Sequence, residues 1–182
     1  MADVPVWETG WSKHIDREKM TACLRDVASV YTTLGIDFFL AFGSMLGAVR
    51  DNDFILWDDD VDLGAFQRDR RKIKEANEIL KRLGFYVAEG PTMPKWDEVY
   101  IRDGQKIEVW VFEEEGGEYV YDRDRHKHVR YPVTYFDFLV PFKLNGVDVW
   151  IPKNAEEMCF QMYGNSWRIP QQGFKCLQFS NA

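Results

Sequence analysis

Four aspartates stand close together in one short segment of the chain: Asp58, Asp59, Asp60 and Asp62. Apolar residues precede and follow them, so the cluster is not a solvated acidic tail. Two like charges about 5 Å apart repel by roughly 3 kcal/mol at an effective dielectric constant near 20. A fold that gathers carboxylates among apolar neighbours therefore needs a cation, raised pKa values or side chains that point outward. We interpret the cluster as a divalent-metal site for phosphate chemistry.

The spacing of two of these aspartates suits one face of a short strand, which we predict over Val61–Ala65. Because side chains alternate along a strand, Asp60 and Asp62 then point the same way, while Val61 and Leu63 point into the core. Two carboxylates on one face can bind one Mg²⁺ or Mn²⁺ ion, or bridge two ions roughly 3.5–4 Å apart.

A third carboxylate from a neighbouring strand would complete such a site, and Glu108 in the apolar run Ile107–Phe112 is the best candidate. An acid in such a strand is costly to bury without a partner. The alternative is an edge-strand glutamate that faces water and pairs with Arg102 or Lys106. The alternation of one strand does not distinguish the two interpretations.

The aspartate cluster has its own alternatives, a solvated acidic loop or a calcium-binding turn. Residues 58–69 lack the alternating aspartates, central glycine and late glutamate of an EF-hand loop. Upstream lies a small-residue turn, Gly43-Ser44. Backbone N–H groups and the Ser44 hydroxyl can hold a phosphate beside metal ions, which favours the metal site.

Apolar periodicity and turn residues predict the elements that position these side chains. We expect helices over residues 16–34, 66–83 and 154–163, the last starting with a capping box at Asn154, and a short helical turn over Met45–Val49 capped by Ser44. We expect strands over residues 38–42, 61–65, 85–88, 98–102, 106–112 and 118–121, and a hairpin of residues 142–144 and 147–151. Helices that flank a mixed, mostly antiparallel sheet give an α+β fold, with residues 1–182 as a single domain.

Composition sets limits on partners and compartment. The chain has 182 residues, a net charge of −7 and 46% hydrophobic residues, so we expect a globular protein that does not bind nucleic acid. Its three cysteines form no Cys-x-x-Cys pair, which argues for a reducing compartment. No signal-peptide core and no membrane span is evident, so we expect a cytoplasmic protein.

The segment that carries these residues resembles the signature of the LicD/fukutin family, a branch of the nucleotidyltransferase superfamily. That signature runs Gly-Ser/Thr-Leu-Leu-Gly-Ala-Val-Arg, a spacer, then Phe-Ile-Pro-Trp-Asp-Asp-Asp-Ile-Asp. Here Gly43–Arg50 reads Gly-Ser-Met-Leu-Gly-Ala-Val-Arg, and Phe54–Asp62 reads Phe-Ile-Leu-Trp-Asp-Asp-Asp-Val-Asp. The stretch from Ile151 to Gly164 also resembles the closing helix of the family. Glu108 stands where the third acid of the family is more often Asp.

The resemblance implies a nucleotidyltransferase-like sheet flanked by helices. It also implies transfer of a phosphorylated group, such as phosphocholine or a phospho-alditol, from a CDP-linked donor to a sugar hydroxyl of a glycan acceptor. Asp60, Asp62 and Glu108 would be the catalytic and metal-binding residues, with Mg²⁺ or Mn²⁺ as the ion. Asp58 or Asp59 is a further candidate for the third ligand or for the base.

Four other residues are candidates for substrate binding: Gly43, Ser44, Arg50 and Trp57. Arg50 suits a diphosphate as a bidentate donor, and the alternative is a salt bridge to Asp51 or Asp53. Trp57 suits stacking on a base or on a choline-like cation, and the alternative is simple packing.

Two other functional classes stay open at this point. One is a nucleotidyltransferase that moves an NMP unit from an NTP to a small molecule or a protein. The other is a degenerate domain that binds a nucleotide or a sugar phosphate without catalysis.

Overall fold

The computed structural model describes residues 12–88, 98–123 and 126–173, with the side chains of residues 121–129 left out. The helices of this part of the chain are α1 (Arg17–Leu34), α2 (Phe42–Asp51), α3 (Arg70–Arg82) and α4 (Ala155–Tyr163), and 3₁₀ turns cover Gln67–Asp69 and Val133–Tyr135. The strands are β1 (Phe38–Leu40), β2 (Asp60–Phe66), β3 (Tyr86–Val87), β4 (Glu98–Arg102), β5 (Gln105–Glu115), β6 (Glu118–Arg123), β7 (His126–Pro132), β8 (Leu139–Leu144) and β9 (Val147–Pro152).

Five strands form one path through the main sheet, in the order β1-β2-β5-β4-β3. Strand β5 extends beyond this path to pair with β6, which in turn pairs with β7. The β2–β5 pair is parallel, and the other described pairs, including the separate β8–β9 hairpin, are antiparallel. The predicted α+β architecture, helices flanking a mixed and mostly antiparallel sheet, is confirmed.

Helix α1 follows directly from its sequence. Asp16 begins it, because its side chain accepts a hydrogen bond from the Lys19 amide, and Gly35 ends it with a φ of 62°. The helix buries one apolar stripe that includes Met20 and Tyr31. The predicted helix is present with nearly the predicted bounds.

The junction between β1 and α2 differs from the prediction. The strand ends at Leu40, and Phe42 already begins a ten-residue helix rather than a turn over Met45–Val49. The prediction of Ser44 as the helix cap is wrong, since Ala41 is the N-cap and Ser44 lies within the first turn. The apolar side chains of this turn are buried, and tertiary packing therefore extends the helix beyond its local signals.

Backbone strain marks the same junction. Phe42 has a φ of 41°, a region that bulky residues rarely adopt. Its ring is held 4.6 Å from that of Trp110, centroid to centroid. This packing offsets the backbone cost.

Most of the remaining elements match the prediction with small shifts, but the prediction contains no strand at β7, and β8 begins at Leu139, three residues before the predicted start. The helix predicted over residues 66–83 begins with the 3₁₀ turn, and β5 runs three residues beyond the predicted end at Phe112. Helix α4 starts where expected, but the predicted capping box does not form. The Asn154 side chain makes no hydrogen bond to the helix backbone, and its Nδ2 donates to Glu157 Oε2. None of the helices in the described ranges combines the length and apolarity needed to cross a membrane.

Candidate metal centre and its cavity

Three carboxylates converge where β2 and β5 run side by side. The parallel register places Asp62 opposite Glu108, and Asp60 lies two residues earlier on the same face of β2. One side-chain oxygen from each of the three residues lies within 4.8 Å of the other two. Between the aspartates, Val61 is fully buried in the core, as the strand alternation predicts. We call Asp60, Asp62 and Glu108 the carboxylate triad.

Glu108 does not lie on an edge strand. Strand β5 pairs with β2 on one side and with β4 on the other, so the edge-strand interpretation is wrong. Of the two partners considered for that interpretation, Lys106 does pair with Glu108, while Arg102 pairs with Asp26. The glutamate is only half-buried and faces the two aspartates of β2.

The ammonium of Lys106 lies inside this group of acids. Its Nζ atom is 2.8 Å from Asp60 Oδ2, 3.0 Å from Glu108 Oε1 and 3.9 Å from Asp59 Oδ2. The side chain is 10% exposed. Three carboxylates against one ammonium leave two uncompensated negative charges, which matches the charge of one divalent ion.

Burial and mutual repulsion shift the protonation of these aspartates. Burial first, and then the nearby Glu108 carboxylate, raise the pKa of Asp60 to about 6 despite the opposing effect of Lys106. Burial and the carboxylates of Asp60 and Glu108 raise the pKa of Asp62 well above its usual range. Burial disfavours the charged form of Lys106, yet Glu108 and Asp60 raise its pKa above the ordinary value. The site is thus electrostatically costly without a further cation.

Two neighbours fix the position of Asp62. The indole N–H of Trp110 donates to Asp62 Oδ1 at 2.9 Å, and the Asp62 amide donates to Ser44 Oγ at 2.8 Å. The Ser44 hydroxyl therefore joins the first turn of α2 to β2. Such outer contacts hold a carboxylate in one orientation and are typical of metal ligands.

Asp58 stands between the triad and a cavity. The Asp58 amide donates to the Ile55 carbonyl, and the Asp58 carbonyl accepts from the Ile15 amide. These two hydrogen bonds fix the turn before β2. A methyl group added to Gly43 would lie 3.1 Å from Asp58 Oδ2 and 3.8 Å from Asp62 Oδ2. A side chain at position 43 would therefore crowd the Asp58 carboxylate, which would have to shift by a few tenths of an ångström. Burial and the adjacent Asp59 raise the pKa of Asp58 to about 6.

The cavity beside Asp58 has a volume of about 410 Å³. Its lining mixes aromatic rings with hydrogen-bonding groups, a combination suited to a ring or chain that carries hydroxyls. The lining comes from α2, from the turn before β2, from the end of α4 and from the chain after α4: Gly43 and Arg50, Trp57 and Asp58, Tyr163, and Ser166, Trp167 and Gln171.

The structure places Arg50 and Trp57 in this cavity wall. The Arg50 side chain is 6% exposed and donates to the Asp51 carboxylate through Nε and Nη2, so one of its predicted alternatives is realised. Asp53, the other alternative partner, instead accepts from Arg17 and Asn145. Trp57 is 37% exposed at the cavity, which leaves a ring face accessible.

Sequence reasoning missed three parts of the site. It treated Lys106 only as a partner of an edge-strand glutamate, and it did not predict the hydrogen bond from Trp110 to Asp62. The signal was available, because the alternation of β5 puts Lys106, Glu108 and Trp110 on one face. The third part, the wall after α4 formed by Ser166 and Trp167, has no comparable local signal, since a tertiary contact brings it to the cavity.

The triad suits a divalent ion. In an octahedral Mg²⁺ site with ligands about 2.1 Å from the ion, neighbouring ligand atoms lie about 3.0 Å apart and opposite ones about 4.2 Å. The three oxygens, which lie within 4.8 Å of one another, can approach one ion by side-chain rotation. Hard oxygen ligands and the uncompensated charge favour Mg²⁺ or Mn²⁺ over soft-metal chemistry.

The architecture is that of the nucleotidyltransferase fold. The chain superposes on the antibiotic-resistance factor ANT(2'')-Ia with a TM-score of 0.54 at 12% identity, covering 85% of this chain and 76% of that one. It superposes on the lincosamide antibiotic adenylyltransferase LnuA with a TM-score of 0.51 at 7% identity, covering 81% and 86% of the two chains. At these identities, the two likenesses define the fold alone.

Residues 35–154 match the profile of the family described as LicD/FKTN/FKRP, nucleotidyltransferase domain, and the chain belongs to this family. Ribitol 5-phosphate transferase FKRP of Homo sapiens is 28% identical over 175 residues, which cover 90% of this chain and 35% of the human protein. The chain therefore spans about a third of the length of that relative. The family resemblance predicted from the sequence is confirmed.

Proposed function

We propose that the protein is a divalent-metal-dependent transferase that moves a phosphorylated group, of the phospho-alditol or phosphocholine type, from a CDP-linked donor to a sugar hydroxyl. The observation that carries the proposal is the convergence of one oxygen each from Asp60, Asp62 and Glu108 within 4.8 Å of one another. Asp58, two residues before Asp60, lines a cavity beside them. Membership of the LicD/FKTN/FKRP family and similarity to a ribitol 5-phosphate transferase support the choice of donor.

The carboxylate triad would hold Mg²⁺ or Mn²⁺. The bound ion supplies Lewis-acid stabilisation of charge on the donor diphosphate. Ser44 and Trp110 keep Asp62 in place for this role through the two hydrogen bonds to its amide and carboxylate. Gly43 and Ser44 lie in the first turn of α2, and the amides at a helix N-terminus suit a phosphate oxygen.

The reaction exchanges one phosphorus–oxygen bond for another. The acceptor hydroxyl oxygen attacks the phosphorus that carries the alditol or choline group, the bond from this phosphorus to the bridging oxygen breaks, and CMP leaves with that oxygen. The hydroxyl proton passes to a base. Asp58 is our candidate for the base, because its carboxylate lines the cavity next to the triad without belonging to it.

The cavity would hold the organic part of a substrate. Arg50 is positioned to exchange its Asp51 partner for a phosphate oxygen. Trp57 offers an aromatic face to a base, a sugar or a choline-like cation.

A donor screen tests the proposal. The purified chain is incubated with CDP-ribitol, CDP-glycerol or CDP-choline and a panel of glycans, with Mg²⁺, Mn²⁺ or EDTA, and CMP release and acceptor mass are measured. We expect CMP release with at least one donor, only with a divalent ion. Incorporation of label from CTP or ATP in place of a CDP-donor would favour nucleotidyl transfer instead.

A pair of variants separates the base from the metal ligands. We expect Asp58→Asn to lower kcat while it leaves the affinity for Mn²⁺ unchanged, and Asp60→Asn to lower both. A third variant, Asp51→Asn, tests the role of Arg50 in the cavity. It removes the carboxylate that now pairs with Arg50 and leaves the triad unchanged. Full activity of Asp58→Asn would remove this residue from the mechanism, and full activity of Asp60→Asn would refute the metal assignment.

A further inference from the structure

We propose that the Lys106 ammonium occupies the cation position of the carboxylate triad in the metal-free protein, and that a divalent ion must displace this ammonium to bind. The displaced ammonium then moves toward the donor diphosphate. This inference rests on the proposed function. It assigns Lys106 as a positioning residue that couples the binding of the metal to the binding of the nucleotide.

The geometry places the ammonium in competition with an ion. Lys106 Nζ donates to Glu108 Oε1 at 3.0 Å and lies 2.8 Å from Asp60 Oδ2. These are two of the three side chains offered to a metal. An ammonium and a divalent cation cannot both approach the same carboxylates closely, because they repel one another and compete for the same oxygen lone pairs.

The fold, through the strand register, fixes the position of Lys106. The parallel register pairs Lys106 with Asp60 in the neighbouring strand, and the alternation of β5 puts it on the same face as Glu108. Its side chain is 10% exposed, so water screens the pairing only weakly. Without the ammonium, three half-buried carboxylates would face one another with no cation between them.

The displaced ammonium needs a new anionic partner. Outside the triad, the carboxylate of exposed Asp59 lies 3.9 Å from Nζ. A diphosphate bound next to the ion would offer oxygens of higher charge within reach of the flexible four-carbon side chain. Metal and diphosphate should then bind cooperatively. The metal releases the ammonium for the diphosphate, and the diphosphate gives the ammonium an anionic partner, which lowers the free-energy cost of its displacement by the metal.

Calorimetry with the full chain tests this inference. Mn²⁺ is titrated into the wild type, Lys106→Met and the control Lys143→Met, each alone, with CDP and with CMP at the same concentrations. Lys143 is a suitable control because it pairs with Asp148 on the β8–β9 hairpin, outside the site. Complexes of Mn²⁺ with free nucleotide are the same in all three titrations and cancel in the comparison.

We expect Lys106→Met to bind Mn²⁺ at least about tenfold more tightly than the wild type in the absence of nucleotide. We expect CDP, but not CMP, to raise the Mn²⁺ affinity of the wild type and of Lys143→Met, and to raise that of Lys106→Met much less. Thermal unfolding gives a second readout: the metal-free Lys106→Met protein should melt at a lower temperature than the wild type and gain more from Mn²⁺.

Equal or weaker Mn²⁺ binding by Lys106→Met would overturn the inference while leaving the proposed function intact. If the variant does not fold, a crystal of the wild type soaked in Mn²⁺ decides instead: Nζ within hydrogen-bond distance of both Asp60 and Glu108 beside a bound ion contradicts displacement. Tighter binding by the variant, together with no transfer from any CDP-donor, supports the inference and rejects the proposed function. A lack of Mn²⁺ binding in all three proteins rejects both.

Discussion

Two of the polar clusters in the described part of the chain are built on opposite principles. The first, which we call the enclosed network, links α1, α3 and β4. The Tyr31 and Tyr100 hydroxyls are 2.8 Å apart, Tyr100 donates to Asn77 Oδ1, Asn77 donates to Glu98 Oε2, and Arg70 Nη1 lies 3.0 Å from Glu98 Oε1. One positive and one negative charge balance each other in this chain of contacts.

The carboxylate triad is different in charge and in access. Its three acids have one ammonium, that of Lys106, and keep two excess negative charges. It also lies next to Asp58, which lines a cavity of about 410 Å³, whereas Tyr31 and Tyr100 of the enclosed network are fully buried. The first cluster is complete without a ligand, and the second is not.

The net charge of a buried polar cluster distinguishes a structural role from a functional one. A buried polar network that is satisfied and neutral contributes to stability and specificity, and removing one member leaves others unpaired. A cluster with an excess of like charge lowers stability, and a fold retains it for what it binds. The same type of substitution, carboxylate to amide, should therefore have opposite effects on stability in the two clusters.

The largest effect is expected for Asp62→Asn. Removal of one triad charge should weaken Mn²⁺ binding by more than the 10–100-fold loss that is typical of an outer-shell change, and should abolish transfer. The melting temperature in EDTA should rise, because the repulsion with Asp60 and Glu108 is reduced. Calorimetry and thermal unfolding check both parts, with the exposed Asp148→Asn as a control. A lower melting temperature in EDTA would contradict the excess-charge argument.

Glu98→Gln should act in the opposite direction. The variant leaves the Arg70 guanidinium without its carboxylate in the enclosed network, and Arg70 is 23% exposed, so we expect a loss of about 2 kcal/mol. This corresponds to a melting temperature lower by about 4–8 °C in a protein of this size. Mn²⁺ affinity should not change. The control Glu78→Gln removes an exposed partner of Lys81 and should have little effect.

Trp110→Phe tests the second contact of the metal site. The variant keeps an aromatic ring near Phe42, removes the N–H donor to Asp62 Oδ1 and leaves a smaller side chain at a buried position. We expect Mn²⁺ affinity to fall by about tenfold, and stability to fall because of the space that the smaller ring leaves. Trp150→Phe, on the β8–β9 hairpin, is the matched control and should behave as the wild type. Unchanged Mn²⁺ affinity in Trp110→Phe would mean that the indole only packs.

The sequence predicts the half of the metal site that lies within one strand. The Asp-Val-Asp spacing defines a shared face for Asp60 and Asp62 by local geometry alone. The apolar run around Glu108 indicates a third acid, and the family resemblance supports its place. Register, however, is a tertiary property: only the parallel pairing of β2 with β5 shows that Glu108 lies opposite Asp62 and that Lys106 lies opposite Asp60.

The parts that sequence reasoning missed have the same physical cause. The helix that begins at Phe42 has no local cap signal, and packing of Phe42 against Trp110 stabilises a strained backbone there. The far wall of the cavity, around Trp167, is brought into place by the packing of α4 against α2. Local patterns predict elements well, and they predict contacts between elements only where a motif already implies them.

The last prediction is a pH dependence of stability that distinguishes the two clusters in the wild-type protein, without any substitution. The pKa of Asp58 and that of Asp60 are each about 6 in the folded chain, against 3.8 in the unfolded chain. Because the folded state binds these protons more tightly, their contribution to stability is fully present below pH 3.8 and is lost as the pH rises through 6. In EDTA, the melting temperature should therefore fall between pH 4.5 and pH 7.5.

Two variants and one ligand test this argument. Asp58→Asn and Asp60→Asn should each remove part of the decrease, while Glu98→Gln should lower the whole curve and leave its slope unchanged. Saturating Mn²⁺ should reverse the trend, because protons compete with the ion for the same oxygens, so that the stabilisation by Mn²⁺ grows as the pH rises. Asp53, whose pKa is lowered, affects stability only at more acidic pH and does not interfere in this range. A melting temperature that rises with pH in EDTA would show that the acids of the metal site are already compensated, which would remove the physical distinction between the carboxylate triad and the enclosed network.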